Sequence, residues 1–314
     1  MARNLKYQFK YAIEQSCRMG ADKHAMKQNS AEKGNEKAKT LSYSDRKNLI
    51  DVSANFSNWM KENHSDIKEL KDVNSNHVQE FLNQKAQTCT SATISQYQSK
   101  FSKLETLVNS TYRNANVTYT NTVTPVTANN TGQLRSKSMT DSDYNKLKNY
   151  MTENCRSQNA TKALELSYHA GLRVSEVAKL QKHDIRINEN GTATVHVANS
   201  KGARSRDIHI VNKDSVQALT ELRNSVEGAN DRIVPIQHES INKAINRVMD
   251  RCDMQEYKNS KTSVHSLRKA YAQREYDRYK SEGLEPKQAW GNVSESLGHG
   301  RDRDDLYKTY IENK

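Results

Sequence analysis

The segment DIRINENGTATVHVANSKGARSRDIHI, residues 184–210, decides the fold class. Its apolar and polar residues alternate with a period of two, whereas apolar residues on either side recur with a helical period. The alternation covers Ile185 to Ile187, Thr192 to Val197 and Asp207 to Ile210. Turn-forming residues separate these runs at 188–191 and 200–203. The segment therefore predicts a small antiparallel β-sheet of three short strands within a mostly α-helical fold.

Helical patterns flank this sheet on both sides. Thr140 is expected to cap a helix that reaches Cys155, with Asp141 and Asp143 favouring the positive end of its dipole. Further helices are predicted at residues 160–170, 174–180, 215–225, 241–252, 266–281, 286–297 and 305–312. Residues 137–314 are therefore predicted to form one mixed α+β domain.

The preceding residues divide into three parts. Residues 1–40 carry a net charge of +5 and one short amphipathic pattern, and they predict a basic N-terminal helix or arm. Residues 41–112 carry three helical patterns, with Ser42 or Ser44 as the first cap and Asn74 or Ser75 as the second, and predict a helical bundle. Residues 113–136 are rich in Thr and Asn and predict an interdomain linker.

Charge and composition narrow the class of partner. The chain has 314 residues, 49 Lys and Arg against 37 Asp and Glu, and a net charge of +12. Such a field attracts polyanions, so DNA is the expected partner. The sequence lacks an apolar run long enough to span a membrane, a secretory signal pattern and CxxC spacing. These features predict a cytoplasmic, nucleoid-associated protein with reduced thiols and no membrane partner.

A small set of side chains stands out by local context. Arg173 lies in Gly-Leu-Arg-Val-Ser-Glu, Lys201 lies at a predicted hairpin tip, and His265 and Arg268 form His-x-x-Arg. His299 follows Leu-Gly, and two tyrosines, Tyr307 and Tyr310, follow on the last predicted helix. Taken singly, each has a structural alternative. Lys201 could be a solvated turn lysine, and His299 could be a packing residue. Lys182 and Arg204 are less favoured candidates for the functional role of Lys201.

Together these groups predict metal-independent phosphoryl transfer, with no cofactor. Two guanidinium groups can hold the non-bridging oxygens of a phosphodiester and stabilise the charge that develops in its transition state. A lysine on a hairpin tip can protonate a leaving oxygen. A tyrosine near such positive charge becomes a competent nucleophile, because the field favours its phenolate.

The ordered set Gly-Leu-Arg-Val-Ser-Glu, hairpin Lys, His-x-x-Arg, Leu-Gly-His and Tyr resembles the tyrosine recombinase (phage integrase) family over about residues 138–314. The first helical domain is similar in pattern to that family's core-binding domain. The resemblance implies that Arg173 and Arg268 clamp the scissile phosphate and that Lys201 protonates the 5′-hydroxyl leaving group. It also implies that His265 shares the nucleophile's proton, that His299 hydrogen-bonds the phosphate and that Glu176 supports its neighbours.

The resemblance further implies a 3′-phosphotyrosyl intermediate, double-stranded DNA with specific sites, and a homotetramer that exchanges strands through a Holliday junction. Accessory DNA-bending proteins remain open as partners. An integrase of a mobile element is favoured, with a Xer-like resolution, inversion or telomere-resolving enzyme, or an inactive DNA-binding regulator, as alternatives. The identity of the nucleophile also stays open. The family's usual spacing from the Leu-Gly-His histidine to its tyrosine falls here on Lys308. Tyr310 is the favoured candidate, and Tyr307 is the alternative.

Overall fold

The computed structural model describes residues 4–21, 23–29, 35–128, 137–198, 205–258 and 263–312. The chain divides into two compact units, Met1–Gln133 and Leu134–Lys314. Each unit has its own cluster of buried apolar side chains. Among the helices of the described residues, none combines the length and the apolar character that a membrane crossing requires.

In its described residues the first unit has five α-helices. They are α1 (Leu5–Gln15), α2 (Lys23–Gln28), α3 (Tyr43–Asn63), α4 (Ser75–Ala86) and α5 (Ser91–Thr111). Ser42 caps α3 and Asn74 caps α4, as two of the sequence alternatives proposed. All four phenylalanines of the chain lie in this core, each almost fully buried. These large rings explain how a chain of low apolar content still builds a packed bundle.

The N-terminal helix is part of this bundle and not a separate arm. Leu5, Phe9 and Ile13 of α1 are buried in the same cluster as the apolar residues of α3 and α5. The amphipathic pattern predicted this helix correctly, but the boundary drawn at residue 40 separated it from the core that covers its apolar face.

Residues 113–128, the described part of the predicted linker, begin with a turn at 113–114 and then run along the first unit without forming a helix or strand. Side chains of the bundle hold their backbone: Asn109 pairs with Val117, the Glu105 carboxylate accepts from Tyr119 N at 2.6 Å, and Gln79 exchanges two hydrogen bonds with Val123. Val117 and Tyr119 are themselves buried in the bundle core. This stretch is therefore a packed strap, whereas residues 129–136 lie outside the described residues.

In its described residues the second unit has one sheet and eight α-helices. The antiparallel sheet has the order β1 (Ile185–Ile187), β2 (Ala193–Val197) and β3 (Arg206–Ile210), with Ile185 opposite Val195 and Val195 opposite Ile208. The helices are α6 (Asp141–Asn154), α7 (Asn159–Ala170), α8 (Val174–Val177), α9 (Lys213–Asn224), α10 (His238–Arg251), α11 (Val264–Ser281), α12 (Pro286–Ser296) and α13 (Tyr307–Tyr310). Helices α7 and α11 pack against each other, and His265 and Arg268 lie near the start of α11.

Two of these helices are shorter than predicted. Helix α8 ends at Val177, and α13 covers only four residues after a 3-10 turn at Asp304–Leu306. The other predicted elements of this unit lie within a few residues of the observed ones, which is the usual uncertainty at helix ends.

Candidate functional site

The site begins at the turn between α7 and α8. Helix α7 ends at Ala170, and its C-terminal cap residue, Gly171, has a φ of +62° and lies against the ring of Tyr271. Arg173 follows as the N-terminal cap residue of α8, and its backbone N–H donates to Glu176 Oε2 at 2.9 Å. The Arg173 guanidinium also donates from Nη1 to Glu176 Oε1 at 2.8 Å. Glu176 thus holds both the backbone and the side chain of Arg173.

Arg268 lies one turn into α11 and is 1% exposed. Its Nη1 donates to the carbonyl of Gly171 and its Nη2 to the carbonyl of Leu297, so it joins two loops that carry other predicted site residues. Burial, with a contribution from Arg173, lowers the pKa of Arg268 to about 10, well above neutral pH. Its Nε is buried without a hydrogen-bond partner in the described part of the chain. The guanidinium therefore keeps its charge, and its Nε–H donor is unused.

His299 follows Gly298, which has a φ of +72° directly after the end of α12. Its backbone N–H donates to the carbonyl of Ser294 at 2.9 Å, which anchors the loop to α12. Burial, together with the positive charges of Arg268, Arg173, Arg303 and Arg206, lowers the pKa of His299 to about 3. The imidazole is therefore neutral at physiological pH.

Tyr310 lies at the end of α13, where the predicted groups meet. Its hydroxyl is 3.0 Å from His299 Nε2, and its ring centroid is 5.3 Å from that of His265. The guanidinium carbon of Arg268 lies 5.8 Å from the same ring. Ile311 is buried behind it, and Glu312 N donates to Gln273 Oε1 on α11. These contacts hold the tyrosine against two histidines and a buried arginine.

Tyr307 has different surroundings. Its hydroxyl donates to the Tyr276 hydroxyl at 3.2 Å, and its ring packs edge-on against Trp290 and Tyr276. Burial and the Tyr307 hydroxyl raise the pKa of Tyr276 to about 12, so the Tyr276 phenol is protonated near neutral pH. Of the two candidate nucleophiles, Tyr310 is the one that the structure places beside His265, Arg268 and His299.

Lys201 lies outside the described residues, which stop at 198 and resume at 205. One residue that the sequence reasoning missed is Arg206, whose guanidinium binds both carboxylate oxygens of Glu176. The only sequence signal was its place directly before the third predicted strand, since an arginine there has no local motif. Among the described residues, no group of three or more His, Cys, Asp or Glu side chains is arranged to hold a metal ion.

Residues 137–278 match the family model described as the phage integrase family. Among curated proteins, no sequence matches the chain. Solved structures with a similar fold include the XerH site-specific recombinase bound to palindromic difH substrate in a post-cleavage complex, with a TM-score of 0.65 at 13% identity over 99% of this chain and 91% of that one.

Two further structures give a comparable match. The Tn1549 transposon integrase in complex with circular intermediate DNA has a TM-score of 0.58 at 14% identity, over 99% of this chain and 96% of that one. The lambda integrase tetramer bound to a Holliday junction has a TM-score of 0.59 at 15% identity, over 90% of this chain and 77% of that one. These similarities, with the observed elements, confirm the predicted fold class.

Proposed function

We propose that the protein is a site-specific DNA recombinase of the tyrosine type, since residues 137–278 match the phage integrase family model. The observation that carries the proposal is the convergence of His265, Arg268 and His299 on the hydroxyl and ring of Tyr310. These residues come from three separated segments of the sequence, and hydrogen bonds between those segments hold them together.

The positive groups of the site suit a phosphodiester. Arg173 is held by Glu176 with part of its side chain exposed, and Arg268 is fixed by two backbone carbonyls. A buried guanidinium N–H without a hydrogen-bond partner destabilises the fold. A phosphate oxygen that accepts a hydrogen bond from Arg268 Nε would remove this cost. In this proposal both arginines bind non-bridging oxygens and stabilise the charge of the transition state.

In the proposed step, the scissile phosphate is transferred from the 5′ oxygen of DNA to the Tyr310 oxygen without hydrolysis. The Tyr310 oxygen bonds to the scissile phosphorus while the bond from phosphorus to the 5′ oxygen breaks. The phenol proton moves to a neighbouring imidazole, and the 5′ oxygen takes a proton from Lys201. His265 remains the proposed proton acceptor and His299 the proposed phosphate ligand. His299 Nε2 also lies within hydrogen-bond distance of the Tyr310 hydroxyl. Attack by a 5′-hydroxyl of another strand reverses the step and completes strand exchange.

The partners follow from this chemistry. The protein acts on double-stranded DNA that contains specific recombination sites, and paired strand exchange through a Holliday junction requires a tetramer on DNA. The Holliday-junction complex of lambda integrase, which matches in fold, is itself a tetramer. Integration is the favoured reaction, and the products formed from paired DNA sites distinguish it from excision, inversion and resolution.

A nicked suicide DNA substrate tests the proposal. Binding sites are first mapped by footprinting on the DNA that flanks the gene, and the nick lets the cleaved end diffuse away, so the covalent adduct accumulates. We expect the wild-type protein and Tyr307→Phe to form an adduct that survives denaturing electrophoresis and Tyr310→Phe to form none. An adduct from Tyr310→Phe but not from Tyr307→Phe would show that Tyr307 is the nucleophile. Specific DNA binding by the wild-type protein without any adduct would identify an inactive regulator.

A further inference from the structure

Arg206, at the start of β3, makes three side-chain hydrogen bonds within the site. Its Nη1 donates to Glu176 Oε1 at 3.0 Å and its Nη2 to Glu176 Oε2 at 2.8 Å. Its Nε donates to the carbonyl of Ser296 at 2.8 Å. The side chain is 10% exposed, so a forked guanidinium connects a buried carboxylate to the last residue of α12.

The first connection controls the charge near Arg173. Glu176 accepts hydrogen bonds from Arg173 and Arg206 and is itself 7% exposed. A buried carboxylate paired only with Arg173 would cancel that arginine's charge and weaken its attraction for a phosphate. With a second guanidinium on the same carboxylate, the group of three keeps a net positive charge. Arg206 thus lets Glu176 orient Arg173 without neutralising it.

The second connection reaches the loop that carries His299. Ser296 precedes that loop, and Arg206 packs directly on Gly298: a Cβ added to this glycine would lie 2.9 Å from Arg206 Nη1. Gly298 also has a positive φ, which favours a residue without a side chain. The loop conformation therefore depends both on glycine at 298 and on the Arg206 guanidinium that packs against it. One arginine therefore sets the positions of two separate parts of the site.

We propose that Arg206 is a positioning residue of the recombinase site, which acts through Glu176 on Arg173 and through the Ser296 carbonyl on His299. This inference rests on the proposed function. Arg206 itself does not touch the phosphate in this arrangement, because all three of its donor groups face protein acceptors. Its loss is therefore expected to slow the cleavage step and to change DNA affinity little.

The test compares Arg206→Gln, Arg206→Lys and a control, Arg223→Gln. Arg223 on α9 is a half-buried arginine of the same unit whose Nε donates to the carbonyl of Ile185, away from the site. Adduct formation is timed on the nicked substrate at saturating DNA, DNA affinity is measured by titration, and folding is followed by thermal melting. We expect Arg206→Gln to form the adduct at least tenfold more slowly, with DNA affinity within about threefold of wild type.

Arg206→Lys restores the charge beside Glu176 but cannot reach three acceptors, so its rate should lie between those of Arg206→Gln and wild type. Arg223→Gln should cleave at the wild-type rate. If Arg206→Gln melts below the assay temperature, Arg206→Lys carries the measurement alone. A wild-type rate of adduct formation in the Arg206 variant that remains folded would overturn the inference.

A double-mutant cycle with Glu176→Gln separates positioning from a general loss of structure. If Arg206 acts through Glu176, removing both charges should slow cleavage by much less than the product of the two single losses. Losses that simply multiply would overturn the proposed route. The proposed function is judged separately by the wild-type protein: if it forms no adduct, the recombinase proposal fails, whereas an active wild type with an equally active Arg206→Gln refutes only the inference.

Discussion

Arg268 combines a structural and a chemical role in one side chain. Its two Nη groups bridge the carbonyls of Gly171 and Leu297, so it joins the loops that hold Arg173 and His299. The His-x-x-Arg pattern predicted a charged group at the start of a helix, and the structure adds that the guanidinium is buried beside Tyr310. Buried arginine of this kind is sensitive to shape as well as to charge.

Replacing Arg268 by lysine tests both roles. Arg268→Lys keeps the charge but cannot bridge two carbonyls, so we expect the free energy of unfolding to fall by about 2 kcal/mol or more. Adduct formation should fall by roughly a hundredfold, since a preorganised donor to the phosphate is lost. Thermal melting and the nicked-substrate assay measure these effects. Arg247→Lys, on an exposed position of α10, is the control, and an equal change in both variants would contradict the prediction.

Sequence and structure differ most where a side chain acts over a long separation in sequence. Arg173, His265, Arg268 and His299 were predicted as site residues because each has a short motif around it. Arg206 was missed because its partners, Glu176 and Ser296, lie 30 and 90 residues away and nothing next to it signals them. The preference for Tyr310 over Tyr307 also depends on tertiary structure, because both tyrosines lie on one short helix and only their neighbours distinguish them.

At the scale of elements, the turn from α7 to α8 depends on Gly171. Its φ is +62°, and an added Cβ would lie 2.3 Å from the ring of Tyr271. The backbone there cannot accept a side chain for two independent reasons, conformation and space. Since the next residues are Leu172 and Arg173, a shift of this turn would move one of the proposed phosphate ligands.

Gly171→Ala is expected to reduce the free energy of unfolding by roughly 3 kcal/mol or more, which combines the cost of a positive φ with that of overpacking. Gly191→Ala is the matched control. Gly191 has a φ of +77° but no atom within 4 Å of its added Cβ, so it should lose only about 1 kcal/mol. Denaturant unfolding of the two variants measures the difference. Equal losses of unfolding free energy in the two variants would show that the close approach to Tyr271 adds no cost of its own.

His169 links three helices of the second unit. Its Nε2 lies 3.0 Å from the Tyr144 hydroxyl on α6, and its Nδ1 lies 2.9 Å from Ser215 Oγ on α9. Burial, aided by the nearby charges of Arg274 and Lys148, lowers the pKa of this imidazole to about 3. In the unfolded chain a histidine has a pKa near 6.5. The stabilisation that this shift provides is therefore complete above about pH 6.5 and is lost as the pH falls toward 3.

His169→Gln removes this titration and keeps an amide that can hydrogen-bond. We expect the melting temperature of the wild type to fall more steeply between pH 7.5 and 4.5 than that of the variant. His209→Gln, which changes an exposed ring on β3, should keep the wild-type dependence on pH. Thermal melting at four pH values makes the comparison. A variant with an unchanged dependence would show that the buried imidazole does not control acid stability.

Individual helices were predicted better than the packing of residues 113–128, because helix caps have local sequence signals and this packed stretch has none. Ser42 and Thr140 cap helices through contacts to residues only three positions away, so their signals lie within one window of sequence. Residues 113–128 have no such local signal. Their backbone is held by Gln79, Glu105 and Asn109, so their attachment to the first unit follows from tertiary structure alone.

At the scale of the whole molecule, the positive charge is shared evenly. The first unit has 18 Lys and Arg against 12 Asp and Glu, and the second has 31 against 25, so each carries a net charge of +6. Each unit also has its own buried core, so each should fold when produced separately. The charge distribution gives both units an electrostatic attraction for DNA, and the proposed catalytic groups lie in the second.

Salt dependence tests whether both units contribute to DNA binding. Each phosphate that a protein neutralises adds nearly one unit to the slope of log affinity against log salt concentration. If both units bind the same DNA site, the slope for the whole chain should approach the sum of the slopes for residues 1–133 and 134–314 and exceed either alone. Titration of the three proteins on one labelled duplex measures the slopes, with circular dichroism as the check that each piece is folded. A whole-chain slope equal to that of residues 134–314 would mean that the first unit adds no phosphate contacts, whatever its charge.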